Sequence, residues 1–181
     1  MATASEIGEI IKLYVGYYNR APDPVGLDFW INAFDDGFSL DAMAEDFSTQ
    51  AETLANYPFF ENNAPSDEDY GTFVDAAYQN LFNRDPDAAG RAFWVEKLGS
   101  GEFSVGQAIS LIIDGATTSP DQDVVANKVE VGRDFYNDVS VLPPYTFDQE
   151  DVDAATAIQA SVTENRASIA QAAALTDAYV L

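Results

Sequence analysis

Apolar residues recur at three- and four-residue intervals from the beginning of the chain. Ile7, Ile10, Ile11, Tyr14, Val15 and Tyr18 form one stripe, the period of an α-helix with one face turned to a core. Ser5 is its expected N-cap, and Pro22 with Pro24 its expected stop, because proline lacks an N–H and drives the preceding residue out of the helical region. A second helix carries Leu27, Phe29, Trp30, Ala33 and Phe34 inward. Gly37 breaks it, and Ser39 opens a third with Leu40, Met43 and Phe47 on one side.

Asn56 to Pro65 reads as a connection. Ser66 with Asp69 makes a capping arrangement for the next helix, which carries Phe73, Val74, Ala77, Tyr78, Leu81 and Phe82. Asp87 caps another helix, Ser104 with Gln107 forms a capping box, and Ser119-Pro120 starts a longer one. Pro143-Pro144 interrupts the chain, and an Ala-rich helical tail runs from about Asp148. No segment shows the alternation of a half-buried strand. The pattern predicts an all-α fold: two related helical units packed together, residues 1–65 and 66–140, with a C-terminal helical extension over 141–181.

The two units share a signature. Tyr14 to Trp30 lies over Tyr78 to Trp94, with matches at Tyr14/Tyr78, Asn19/Asn83, Arg20/Arg84, Pro22/Pro86, Asp23/Asp87, Gly26/Gly90, Phe29/Phe93 and Trp30/Trp94. Phe38-Ser39-Leu40 then answers Phe103-Ser104-Val105, with one residue inserted in the second copy. Such self-similarity marks an internal repeat. Each shared residue has a structural task. Pro22 and Pro86 are expected to end one helix, and Asp23 or Asp87 to accept the free N–H groups opening the next. Gly26 and Gly90 each cost a helix roughly 1 kcal/mol against Ala, which predicts a close helix approach. Phe29-Trp30 and Phe93-Trp94 are expected to supply buried area, and Arg20 and Arg84 to fork onto a carboxylate at the turn.

Charge changes the picture. Asp and Glu number 31 against 8 Lys and Arg, a formal net charge of -23. Between Arg20 and Arg84 there are 13 carboxylates and no Lys or Arg. Such a field repels phosphate backbones, so no nucleic acid is expected as a partner. It also disfavours anionic membrane surfaces unless a divalent cation bridges the two. The chain has no Cys and no His, which removes disulfides, thiolate zinc sites, the usual general base and every His-containing triad. The N-terminus lacks the basic and apolar regions of a cleaved signal peptide. No apolar run approaches the roughly 20 residues that span a bilayer, so membrane insertion is not expected.

Two readings of the acids stay open, a solvated acidic face and cation binding. Asp85-x-Asp87-x-x-Gly90 followed by Glu96 matches EF-hand positions one, three, six and twelve. Ala89 and Phe93 stand at ligand positions five and nine, however, and the first copy has Ala21 and Asn32 where Asp85 and Glu96 stand. Asp35-Asp36 and Asp121/Asp123 are further candidates for a looser oxygen-ligand calcium site. No phosphate loop is present, and paired acids without a cleft do not make a glycosidase. The segments Tyr57-Pro58-Phe59-Phe60 and Pro143-Pro144-Tyr145-Thr146-Phe147 are either aromatic platforms or core.

The signature resembles the bacterial domain of unknown function 4214, whose members carry a Tyr-rich helix followed by Arg-x-Pro-Asp-x-x-Gly-x-x-aromatic-Trp. The resemblance covers roughly Tyr14 to Phe47 and Tyr78 to Asp114. Asn127 to Tyr136 also looks like the helix that often follows this domain. The family is similar to phycobilisome-linker-type helical domains in its core motif and is typical of large exported proteins, S-layer-like and type I-secreted ones among them. It has no established enzymatic activity, so the resemblance implies only structural roles for the matching residues. Asp177-Ala178-Tyr179-Val180-Leu181 looks like the uncleaved tail of type I secretion substrates. The Gly-Gly-x-Gly-x-Asp calcium repeats that commonly accompany that route are missing.

Together these features predict a non-enzymatic protein acting by binding or assembly outside the cell or at its surface. Export would follow the type I route, no cofactor is required, and calcium is a candidate bridge. The expected partner is a protein or a cell-surface polysaccharide. The alternative is a cytoplasmic scaffold or linker whose helical units dock partner proteins.

Overall fold

Thr3, not Ser5, opens the first helix. Its hydroxyl accepts from Glu6 N at 3.3 Å, and the Glu6 carboxylate takes the Thr3 N–H at 2.6 Å, a reciprocal box that Ser5 has no partner to make. The computed structural model describes residues 1–62, 65–142 and 147–180, and among these it is helical without strands. In chain order the helices are α1 Ala4–Tyr18, α2 Pro24–Asp35, α3 Leu40–Thr49 and α4 Ala51–Asn56, a 3₁₀ turn Pro58–Asn62, then α5 Asp67–Phe82, α6 Ala88–Gly99, α7 Val105–Gly115 and α8 Asp121–Ser140. α9 Gln149–Ala160 and α10 Ala167–Val180 follow. None of them is long and apolar enough to cross a membrane.

The caps read from sequence are in place at Asp23, Ser39, Ser66, Asp87 and Ser104, and Asp148, where the tail is expected to begin, caps α9 as well. Pro22 and Pro86, by contrast, do not themselves end α1 and α5. Both helices close earlier, on Asn19 (φ 50°) and Asn83 (φ 56°) in the left-handed conformation. Asn tolerates this conformation better than other side chains bearing a Cβ. Pro22 and Pro86 follow in the non-helical link, each just before the capping Asp. There a proline disfavours helical backbone at the residue before it, so the two keep α1 and α5 from running on into α2 and α6. Gly37, at φ 98°, turns the chain out of α2 as expected. Two elements depart from the sequence pattern. α4 is too short to show a period, and the Ala-rich tail is two helices, α9 and α10, rather than one.

α1 and α3 share one core with α5 and α7. Ile10, Tyr14 and Tyr17 of α1, Met43 and Phe47 of α3, Phe73 and Leu81 of α5 and Ile109 of α7 belong to a single buried cluster. α3 and α7 approach closely where a Cβ on Gly106 would stand 2.5 Å from the Cα of Glu45. α1 and α5 are tied by Asn80 Nδ2, which donates to the Gly16 carbonyl at 2.9 Å. Tyr57 is buried against Phe73, and Phe59 and Phe60 pack on the same core, so this aromatic segment is interior. Of the second aromatic segment, residues 143–146 lie outside the described residues, while Phe147 packs on a smaller core. That core joins Val131, Phe135 and Val139 of α8 to Ala155, Ile158, Val162 and Ala172. Asn83 Nδ2 reaches the Val162 carbonyl at 2.7 Å, binding the extension to the end of α5. Tyr179 near the end of α10 stacks on Phe135 with ring centroids 5.8 Å apart.

Candidate functional site

The two signatures fold to the same local design. Asp23 Oδ1 accepts from Gly26 N at 2.7 Å, and Asp87 Oδ1 from Gly90 N at 2.8 Å. Each carboxylate thereby satisfies an orphan donor at a helix start. Arg20 forks onto Glu52 of α4 at 2.8 and 2.7 Å, and Arg84 onto Asp121 of α8 at 2.9 and 2.5 Å. Each arginine also donates to the next residue's carbonyl at 3.0 Å. Each guanidinium lies over two rings: Tyr14 and Tyr18 at 5.1 and 5.5 Å, and Tyr78 and Phe82 at 5.3 and 5.6 Å. The fork expected at the turn is therefore present, although its acceptors come from helices distant in sequence.

The copies differ in how tightly they close. Pro22 is buried, whereas Pro86 is only half-buried. A Cβ on Gly26 would stand 2.5 Å from the Tyr14 hydroxyl and 2.7 Å from Asp23 Oδ2, whereas on Gly90 its nearest neighbours are 3.5 and 3.7 Å away. The close approach predicted for both glycines thus exists only at Gly26. Gly26→Ala should destabilise the protein by about 1–3 kcal/mol, since the Tyr14 ring is wedged against Phe47 and Tyr18. Gly90→Ala should be neutral or stabilise by up to about 1 kcal/mol through helix propensity. Urea denaturation of the two variants checks this, and equal losses would contradict it.

The expected burial of both Phe-Trp pairs is half right. Trp30 and Trp94 are buried, and the Trp94 indole donates to Tyr78 Oη at 3.1 Å. Phe29 and Phe93, however, are 61% and 45% exposed. Adjacent residues on a helix point about 100° apart, so with Leu27 and Trp30 inward, Phe29 faces out. Val25, one turn earlier on α2, is 74% exposed, and Phe38 beyond Gly37 is 40% exposed. Phe29, Trp30 and Phe38 are in ring contact. Two shallow grooves share Phe29 and Trp30. One, of about 450 Å³, runs along Ala33, Asp36 and Phe38, and the other, of about 490 Å³, along Val25, Asp23, Gln50 and Glu52. Sequence periodicity could have found this face: a helix with apolar residues at 25, 27, 29 and 30 exceeds what one buried stripe can hold.

The candidate metal ligands lie apart. Asp85 accepts from Gln79 Nε2 at 2.6 Å and Asp87 is held by the Gly90 N–H. Asp121 holds Arg84, and Asp123 accepts the Ser119 hydroxyl at 2.5 Å. Asp35 pairs with the Met1 amino group at 3.1 Å, Asp36 ends α2 on the surface, and Glu96 lies outward on α6. Among the described residues no three carboxylates form a group that could hold a metal ion.

A cleft of about 510 Å³ separates α1 from α8, lined by Gly8, Glu9, Lys12, Asp114, Val125 and Val129 among others. Of its two cations, Lys12 is held by Glu9 at 2.7 Å and Arg133 Nη2 donates to the Ala4 carbonyl at 2.7 Å. The groups whose ionisation the fold shifts most are elsewhere. Burial pushes the Tyr14 and Tyr17 hydroxyls well above their usual range and Tyr18 and Tyr57 to about 12. It pushes the Lys128 ammonium down to about 8. Tyr14 and Tyr18 line the inner wall of the groove beside Val25, while Tyr17, Tyr57 and Lys128 are buried inside the bundle as scaffold.

No curated protein and no solved structure matches the chain. Residues 51–110, from α4 into α7, match the family model described as Domain of unknown function (DUF4214), a span that includes the second signature and leaves the first outside.

Proposed function

We propose that this chain is a non-enzymatic binding or surface-assembly protein that acts outside the cell, exported by the type I route. The observation that carries the reading is the exposed apolar face that Val25 and Phe29 of α2 form with Phe38 beyond it, on a chain with a net charge of -23. Clustered exposed apolar side chains cost solubility and mark contact surfaces, and here they occupy the outward positions of an otherwise structural signature. The resemblance to a family typical of exported proteins supports the location. Calcium would act as a bridge between carboxylates of this chain and those of the cell surface, not in a closed cage. The scaffold reading shares the same face and differs in compartment.

Fractionating producing cells into cytoplasm, surface and medium tests the reading. The native chain is expected at the surface, released to the medium by a calcium chelator. Phe29→Ser is expected in the medium even with calcium present, while Phe93→Ser stays at the surface. Recovery of all three only in the cytoplasm would sink export and favour the scaffold. Surface retention unaffected by Phe29→Ser would sink the role of this face.

A further inference from the structure

We infer that the α2 face takes a cationic amphipathic segment of a partner protein, one with an apolar stripe flanked by Lys or Arg. The inference rests on the binding reading above and specifies the partner's chemistry.

The centre of the face is apolar and its rim is acidic. Val25 and Phe29 stand one turn apart; Phe29 and Trp30 line both grooves, and Val25 lines the one that runs toward Glu52. This relief suits apolar anchors spaced a helical turn apart on the partner. Asp23 and Asp36 line the grooves, Glu52 closes one end, and Asp28 is exposed beside Phe29 with one oxygen on Tyr136 Oη at 2.5 Å. Arg20 is the cation among the groove-lining residues, and it is 5% exposed and forked onto Glu52. Arg20 also stands 3.7 Å from Asp23, so Asp28 and Asp36 carry the rim's remaining charge around the apolar patch, and no cation among the groove-lining residues is free to receive an anion. A second copy of this chain would bring the same net charge of -23 against itself, and an anionic polysaccharide would meet the same repulsion.

The second signature shows what the face looks like without this specificity. Ala89 stands where Val25 does, and Lys97 Nζ covers the Phe93 ring at 5.6 Å from its centroid. Arg91 adds a further cation on the same helix, held by Asp75 at 2.9 Å. That face is smaller, partly capped and mixed in charge, so it serves as an internal control.

The test uses the full chain and fluorescence anisotropy at about 0.15 M salt. The probes are a labelled Leu/Lys amphipathic helical peptide of about 18 residues and a Ser/Lys peptide of equal length and charge. The Leu/Lys peptide is expected to bind at least about tenfold tighter than the Ser/Lys peptide. Phe29→Ser, and separately Val25→Ser, should remove that preference, while Phe93→Ser keeps it. These are exposed side chains, so folding is not at stake. Equal binding of the two peptides, or a preference that survives Phe29→Ser, overturns the inference. If Phe29→Ser frees the protein from the cell surface while the Leu/Lys peptide shows no preference, the binding reading stands and the cationic partner falls. Phe29-dependent retention on a neutral polysaccharide, with no peptide preference, would assign the face to sugar instead.

Discussion

Arg20→Ala should cost about 3 kcal/mol of stability or more, and Arg84→Ala about 1 kcal/mol or less, although both arginines hold the same place in the signature. Their bonds are nearly identical in kind: a fork onto a carboxylate, one backbone carbonyl and two aromatic faces. The difference is burial. The Arg20 side chain is 6% exposed beneath α4, and that of Arg84 is 44% exposed at the start of α8. Removing Arg20 opens a void beneath Tyr14 and Tyr18 and takes both charge-assisted bonds from Glu52, whose side chain is 35% exposed. Removing Arg84 opens no buried void and leaves Asp121, 15% exposed, on a helix start, where the backbone dipole compensates it. Arg20→Lys should recover little, because a single ammonium cannot make both bonds of the fork and lie flat against two rings. Chemical denaturation of the three variants decides the matter, and equal losses at positions 20 and 84 would show that burial is not the controlling variable.

The elements of the fold were legible where a residue acts on its own neighbours. Ser66 with Asp69 and Ser104 with Gln107 announce helix starts because cap and acceptor sit three residues apart. Asn19 and Asn83 carry an equally local signal, αL tolerance, which the more conspicuous Pro22 and Pro86 mask. What could not be read is set by distant contacts. Nothing in the chain's order says that Arg20 reaches Glu52 and Arg84 reaches Asp121, since those acceptors fall at different distances along the chain, 32 and 37 residues away. The candidate face was half visible. Phe29 reads as core because it is apolar and adjoins Trp30, and only the angle between neighbouring helical positions separates them. The metal candidates do not converge because Asp87 caps α6 and Asp121 pairs with Arg84. Lys128 is the instructive case. It falls on the stripe Val124, Val131, Phe135 and Val139 at helical spacing, a position where a charged residue should have drawn notice.

That lysine sets the protein's response to pH. It is fully buried, with Nζ donating to Asn19 Oδ1 at 3.0 Å and to the Asn80 carbonyl at 2.5 Å. Both partners are neutral, so burial disfavours the ammonium, and it titrates in the fold at about 8 instead of 10.5. Below pH 8 the charge is carried in both folded and unfolded chains, and burying it costs about 3 kcal/mol. Between about pH 8 and 10.5 the folded protein releases a proton that the unfolded chain still holds, so stability should rise, by at most about 1.4 kcal/mol per pH unit. The buried tyrosines act in the opposite sense. Tyr18 and Tyr57 titrate at about 12 when folded and near 10 when unfolded, so above pH 10 the unfolded chain loses protons first and stability falls. Maximum stability should therefore lie near pH 10, well above the usual range. Lys128→Met should be at least as stable as the native chain at pH 7, because it replaces a buried charge by an apolar side chain of similar volume. It should also show no rise between pH 8 and 10. Urea unfolding free energies for both chains across pH 7 to 11 provide the measurement, and exposed lysines cancel in the comparison. A native chain flat from pH 8 to 10, or a Lys128→Met variant with the same rise, would mean the ammonium is stabilised by contacts other than these two acceptors.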